Sequence, residues 1–294
     1  MSSYKIQNQI HKKCVHCNLP YLSIYSKCNH CMLYENNVKP SNILKKDIMY
    51  NIKNIYVINL EKDKDRLKMF YNNIDLYNIS KANRIWKIFK GVDGSKSETI
   101  VTELSNLLEN IEDKVRVYKH WEKYPGSIGC YLSHIKLWNT ILNDDKDIAS
   151  NEYTLIMEDD SFFTKLGLIN LELALNNIKH LKWDILYVGH NKLRGNIKYQ
   201  DNKAYPLFIT PYIFNKNENS KGYNSGFFGY IVRKSSLEKL INIAKTFETP
   251  FIDVHFRNKF GVKDTDVLPL FCINNLIRHN YNGVSTRITF DSRK

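Results

Sequence analysis

The sequence predicts an α/β domain built on a mixed, mainly parallel sheet flanked by helices, preceded by a small zinc ribbon. Three observations carry that expectation. Short β-branched and aromatic runs alternate along the chain with segments of helical spacing, the order that lays parallel strands side by side through crossover helices. The strand candidates are apolar almost without interruption, as strands buried on both faces are. Four of the six cysteines crowd into residues 14 to 31 as two Cys-x-x-Cys pairs, a metal-ligating pattern.

Within "CVHCNLPYLSIYSKCNHC" the pairs Cys14/Cys17 and Cys28/Cys31 stand ten residues apart. Each pair forms a tight knuckle presenting two thiolates, and two knuckles complete a tetrahedral Zn2+ site with no open position for chemistry. His16 and His30 then point away from a metal that four sulfurs already saturate, and the zinc holds together a module too small to fold on its own core. A polar connector, "ENNVKPSNILKKD", follows with Pro40 and Ser41 as breakers. The expected division is a zinc-ribbon-like module over residues 1–45 and an α/β domain over residues 46–294.

In that domain "IYVINL" reads as the first strand, and "LKMFYNNI" beyond the charged turn "EKDKDR" as a helix. "ELSNLLENIEDKV" is a second helix candidate. "GCYLSHIKLWNTIL" is a third, with Leu132, Ile135, Trp138, Ile141 and Leu142 at helical spacing. "YTLIM", "WDILYVG" and "FFGYIV" read as buried strands, and "KSSLEKLINIA" as a helix whose Ser235 and Glu238 fit a capping box.

At 294 residues, with 43% hydrophobic and 13% aromatic content, the chain can bury a substantial core. It has no apolar run of about 18 residues, and its N-terminus lacks the apolar segment that secretion requires. A cytoplasmic protein without a transmembrane segment is therefore expected. The formal net charge of +13 favours anionic partners in general. The lysines are spread along the chain, and the richness in Asn, Ile and Lys matches an AT-rich coding bias, such as that of a large DNA virus. The charge is therefore not read as a functional signal.

The stretch "YTLIMEDDSFF" sets Glu158, Asp159 and Asp160 at the end of a strand candidate in this basic chain. Alternation carried past Met157 sends Glu158 and Asp160 to one side and Asp159 to the other. In open α/β sheets, ligands sit beyond the carboxyl ends of strands, where these acids fall. Two carboxylates on one side can hold a hard divalent cation that neutralises a diphosphate. The same three acids also suit a solvated turn.

The landmarks "VINLEKDKDR", "GVDG", "GSIGCYLSHIKLW", "LIMEDD", "GFFGYIVRKSSLEKL" and "PFID" occur in that order over roughly residues 54 to 280. In order and content they resemble glycosyltransferase family 25, which includes lipopolysaccharide glycosyltransferases and collagen galactosyltransferases. The resemblance implies a GT-A-like fold and a metal-dependent hexosyltransferase that uses a nucleotide-diphosphate sugar, UDP-linked, and a glycan or protein acceptor hydroxyl. Two departures stand out. Ser127 replaces a common Glu, and Phe227 and Phe228 replace the usual Thr and His.

The resemblance makes Asp160 the first candidate ligand for Mn2+ or Mg2+, with Glu158 supporting the metal or contacting the donor's ribose. Asp159 either joins the donor site or caps the next segment. Asn59 and Arg66 flank the turn after the first strand, where the nucleotide would lie. The Arg66 fork suits phosphate oxygens, but pairing with Asp63 or Asp65 is an equal use for it. Asp93 either accepts from uracil or ribose or is a plain turn residue. Asp253 is the candidate base for the acceptor hydroxyl, and His255 or His279 a further metal ligand. Cys130 and His134, one helical turn apart, read as core residues, with a nucleophilic pair as the sharper alternative. The rival class is a zinc-containing nucleic-acid-binding protein or metal-dependent nuclease. It accounts for the charge and the cysteines but not for the ordered landmarks, so nucleic acid is not the expected partner.

Overall fold

The computed structural model describes residues 11–13, 20–22, 52–76, 86–143, 153–163, 181–190, 209–211, 226–259, 267–272 and 275–279, together with positions 171, 175 and 178. The chain divides into two units, Met1–Ile48 and Met49–Lys294. In the first, strands β1 (His11–Lys13) and β2 (Pro20–Leu22) pair antiparallel. Cys14, Cys17, Cys28 and Cys31 lie outside the described residues, and the zinc expectation with them.

Among the described residues the second unit holds a seven-stranded mixed sheet. Its strands are β3 (Ile52–Asn59), β4 (Trp86–Lys90), β5 (Tyr153–Glu158), β7 (Ile185–Gly189), β8 (Ile209–Pro211), β9 (Gly229–Arg233) and β10 (Pro269–Cys272), in the spatial order β4-β3-β5-β9-β7-β10-β8. β3 pairs parallel with β4 and β5, and β7 with β10, whereas β9 and β8 run antiparallel to their neighbours. The sheet is thus mainly parallel, as the sequence predicts. Tyr153 to Met157 of β5 and all of β7 and β10 are buried, which is why these strands read as unbroken apolar runs. Two three-residue strands, β6 (Ser161–Phe163) and β11 (Ile277–His279), make a separate antiparallel ribbon.

Among the described helices, α1 (Lys64–Leu76) buries Phe70 and Ile74. The single helix expected over "ELSNLLENIEDKV" is two, α2 (Ser97–Leu107) and α3 (Ile111–Lys123). The chain breaks because Leu108 turns extended and inward, 6% exposed, while the Asn110 side chain accepts from Glu112 N at 2.8 Å and starts a new helix. The helix α4 (Pro125–Asn143) buries Ile128, Tyr131, Leu132, Ile135, Trp138 and Ile141, so it is a core helix with little polar face. No described helix is long and apolar enough to cross a membrane.

The capping box expected from Ser235 and Glu238 is absent. Ser235 lies in a 3-10 turn, Lys234–Ser236, and the residue preceding α5 (Leu237–Ala244) is Ser236, which makes no capping bond. Its Oγ instead donates to the buried Asp184 carboxylate at 2.8 Å, which also accepts from Lys239 Nζ at 3.1 Å and Leu268 N at 2.8 Å. A buried acid is costly without donors, and it outcompetes an orphan helix N–H that can find other partners.

Candidate active site

The acids emerge where the parallel strands end. Ile58 of β3 is paired with Glu158, Asp159 N donates to Ile58 O at 3.1 Å, and Glu158 N to Phe228 O at 3.1 Å. From this turn the chain enters β6, anchored by the Ser161 Oγ bond to Phe228 O at 2.6 Å. β11 pairs with β6 so that His279 stands opposite Ser161. The ribbon therefore returns a residue from far along the chain to the acidic turn.

Each acid has its own surroundings. Glu158 faces α4, with its Oε1 3.4 Å from His134 Nε2 and 3.7 Å from Cys130 Sγ. Asp159, 5% exposed, accepts from Asn59 Nδ2 at 2.7 Å and ion-pairs with Arg66. Asp160 meets Arg66 Nη2 at 2.6 Å and His279 Nε2 at 3.0 Å, and its Oδ1 is buried with no hydrogen-bond partner among the described residues. Burial pushes the Asp159 carboxyl up to about 7 against the pull of Arg66 and the Asn59 bond, with Asp160 and Glu158 adding to the rise.

One ligand atom each from Glu158, Asp160 and His279 lies within 4.8 Å of the other two. Two carboxylates and one imidazole form a donor set suited to Mn2+, and the orphaned Asp160 Oδ1 is an acceptor in want of a positive partner. Of the two late histidines, His279 joins this group and His255 does not. Arg66 is seated on the acids, with Asp63 3.8 Å away, and Asn59 Nδ2 also donates to Asp63 O at 3.1 Å. Both residues expected beside a nucleotide thus hold Asp159 in place.

Asp93 lies on the neighbouring loop. Burial raises its carboxyl, but hydrogen bonds from Ser95 and Lys62 outweigh that and hold it below the ordinary carboxylate range. The loop docks backbone to backbone on α4. A Cβ on Gly94 would lie 1.9 Å from Pro125 O, and one on Gly129 2.6 Å from Gly94 N. Ser133 Oγ accepts from Val92 N at 2.8 Å and donates to Gly129 O at 2.7 Å, and Trp121 Nε1 donates to Gly94 O at 2.6 Å. Gly94, Gly129 and Ser133 of "GVDG" and "GSIGCYLSH" therefore have a packing reason.

Asp253, in the first turn of α6 (Ile252–Lys259), accepts from Gly226 N at 3.1 Å and Val254 N at 2.9 Å. Gly226 precedes β9 at the same end of the sheet and has φ +120°, which favours glycine. A Cβ there, or on Gly189, would fall 2.5 Å from the Phe228 ring. That ring packs on His279 with centroids 5.4 Å apart, so one unusual aromatic backs the candidate ligand. The other, Phe227, turns to α4 and lies against His134, Trp138 and Tyr230.

His255 is fully buried, with Nε2 3.0 Å from Ile243 O and Nδ1 3.3 Å from Glu248 N. It ties α6 to the end of α5. Burial holds its imidazole below the ordinary value, so its contribution to stability is full above the unfolded value of about 6.5 and is lost as pH falls through the folded value. His255→Leu should cost about 1–3 kcal/mol at pH 7.5 by removing the imidazole's hydrogen bonds to Ile243 O and Glu248 N, with a smaller gap to wild type at pH 5.5. Denaturant melts at the two pH values check this, and a gap that widens in acid would contradict it.

Lys62 at Asp93 and Tyr230 at His134 are contacts the sequence reading missed. Nothing local marks either one, because the partners lie 31 and 96 positions apart.

Residues 52–255 match the family model described as glycosyltransferase family 25 (LPS biosynthesis protein). The chain is 27% identical to human procollagen galactosyltransferase 2 over 189 residues, which are 64% of this chain and 27% of that protein. It is 26% identical to a glycosyltransferase 25 family member of Aedes aegypti over 194 residues, 65% of this chain and 28% of that one. The chain thus spans little more than a quarter of these relatives' length. A crystal structure of a glycosyltransferase involved in the glycosylation of the major capsid of PBCV-1 superposes with a TM-score of 0.42 at 9% identity, over 81% of this chain and 96% of that one.

Proposed function

The chain belongs to glycosyltransferase family 25, and from that membership we propose that its α/β domain is a metal-dependent transferase moving a hexose from a nucleotide-diphosphate sugar, UDP-linked, to an acceptor hydroxyl on a glycan or protein. The observation that carries the reading is the buried Asp160 Oδ1, without a hydrogen-bond partner among the described residues, within the group formed by Glu158, Asp160 and His279. These three would hold Mn2+ or Mg2+, and the bound cation would neutralise the donor diphosphate as it leaves.

The chain's own residues do the rest. Arg66, already on the acidic turn, would give Nη–H groups to phosphate oxygens. Asn59 and Asp159 keep Arg66 aimed, while Asp93, held by Lys62 and Ser95, would accept from ribose or uracil. Asp253, fixed by two backbone N–H donors, would take the acceptor hydroxyl's proton as that oxygen attacks the anomeric carbon. A structural Zn2+ at Cys14, Cys17, Cys28 and Cys31 belongs to the same proposal, and the zinc content of the purified protein reads it.

The test is a screen of nucleotide sugars for donor hydrolysis with and without Mn2+. Hydrolysis of one UDP-sugar that stops on chelation is the expected result. Turnover of DNA or RNA with no response to any nucleotide sugar would overturn the reading.

A further inference from the structure

Beside the proposed cation site lies a polar chain that the site itself does not use. Trp138, Tyr230 and His134 are each fully buried. Trp138 Nε1 lies 2.9 Å from the Tyr230 oxygen, and His134 Nδ1 lies 2.8 Å from the same oxygen. At its far end His134 Nε2 approaches Glu158 Oε1 at 3.4 Å, and Cys130 Sγ approaches that oxygen at 3.7 Å.

The hydrogens in this chain run one way. An indole N–H only donates, so Trp138 gives to the Tyr230 oxygen. Burial holds the Tyr230 phenol well above its ordinary value, so it keeps its proton. That proton needs an acceptor, and Trp138 offers none. It goes to His134 Nδ1, which must therefore be the bare nitrogen, leaving the ring's N–H on Nε2 and aimed at Glu158. Phe227 walls the imidazole with its ring 5.3 Å away, edge to face, an apolar neighbour that offers no competing partner.

We propose that Trp138, Tyr230 and His134 form a hydrogen-bond relay of fixed direction that presents an imidazole N–H to Glu158 Oε1, making Tyr230 and His134 positioning residues for the donor-site carboxylate. The proposal rests on the reading of Glu158 as part of the cation site. It competes with a second possibility, since Cys130, His134 and Glu158 also place ligand-type atoms within 4.8 Å of one another. A cation on His134 Nε2 would move the ring proton to Nδ1. The Tyr230 oxygen would then face two N–H donors while its own hydrogen lay buried without an acceptor. The geometry favours the relay over that seat.

The experiment uses the full chain. Ring 15N NMR of the metal-free protein should find His134 as the Nε2–H tautomer, and an Nδ1–H ring would overturn the proposal in favour of a cation at Cys130, His134 and Glu158. In Mn2+ titrations, Tyr230→Phe and His134→Leu should each weaken binding about tenfold or more, whereas His134→Gln, which keeps a donor toward Glu158, should stay within about threefold of wild type. Turnover lost in Tyr230→Phe should return as Mn2+ is raised, which a merely structural defect would not show. Equal losses in His134→Gln and His134→Leu, or no loss in any variant with melting unchanged, would overturn the relay. Failure of the wild-type chain to bind Mn2+ would remove the positioning role with the site it serves, and the tautomer measured without metal distinguishes that outcome from a wrongly assigned relay.

Discussion

Asp160→Ala should lower metal-dependent donor hydrolysis on the order of 10^3-fold while leaving the fold in place. Each factor of ten corresponds to about 1.4 kcal/mol of transition-state stabilisation, and removing a principal charge-stabilising group at a leaving group costs several such factors. Asp160 is the acid best placed for that role, because its Oδ1 is buried without a partner among the described residues and its Oδ2 meets both Arg66 and His279. Stability should change little, since Arg66 remains paired with Asp159. Steady-state hydrolysis against Mn2+ concentration, beside a thermal melt, separates the two effects. Undiminished turnover in Asp160→Ala would refute its assignment as a ligand.

The largest expected effect on folding belongs to Gly94→Ala. A Cβ there would sit 1.9 Å from Pro125 O and 2.6 Å from Pro125 C. These are backbone atoms that no rotamer change can move, so the loop and α4 must separate. Overpacking of this kind costs about 3 kcal/mol or more, and in a domain of this size that lowers the melting temperature by about 6–12 °C. Gly91→Ala is the control, because a Cβ there would meet only side-chain atoms at 3.2–3.3 Å, from Leu60, Ile58 and Ser133. It should cost no more than about 1 kcal/mol. Equal melts for the two variants would show that the backbone approach of "GVDG" to α4 does not hold the domain together. Because this loop carries Asp93 and α4 carries His134, Gly94→Ala should also weaken donor binding in whatever fraction remains folded.

What could be read from the sequence was what depends on near neighbours. β5 and β7 announced themselves because both faces are buried, and "EDD" fell at the carboxyl end of β5 by simple continuation of the strand. The stripe of Leu132, Ile135, Trp138 and Ile141 placed α4 correctly for the same kind of reason. β4 escaped because it is an edge strand, where Lys87 and Lys90 interrupt the apolar run and Ile88 is 39% exposed. β6 and β11 are three residues each, too short for any period to register, and their pairing is what separates His279 from His255. The break between α2 and α3 depended on where Leu108 finds its pocket, and the Ser235 box was lost because α5 starts after Ser236, whose hydroxyl is held by a buried carboxylate 52 positions upstream. In each case a tertiary partner outweighed a local preference, as it does in the direction of the relay behind Glu158.

The most direct test of the account is Mn2+ binding followed by electron paramagnetic resonance in the presence of UDP. The account requires one Mn2+ bound by the wild-type chain, with binding lost in Asp160→Ala and strongly weakened in His279→Ala but retained in His255→Leu. Binding that survives loss of both Asp160 and His279, or that disappears with His255, would contradict a cation site built by the acidic turn and the β6–β11 ribbon.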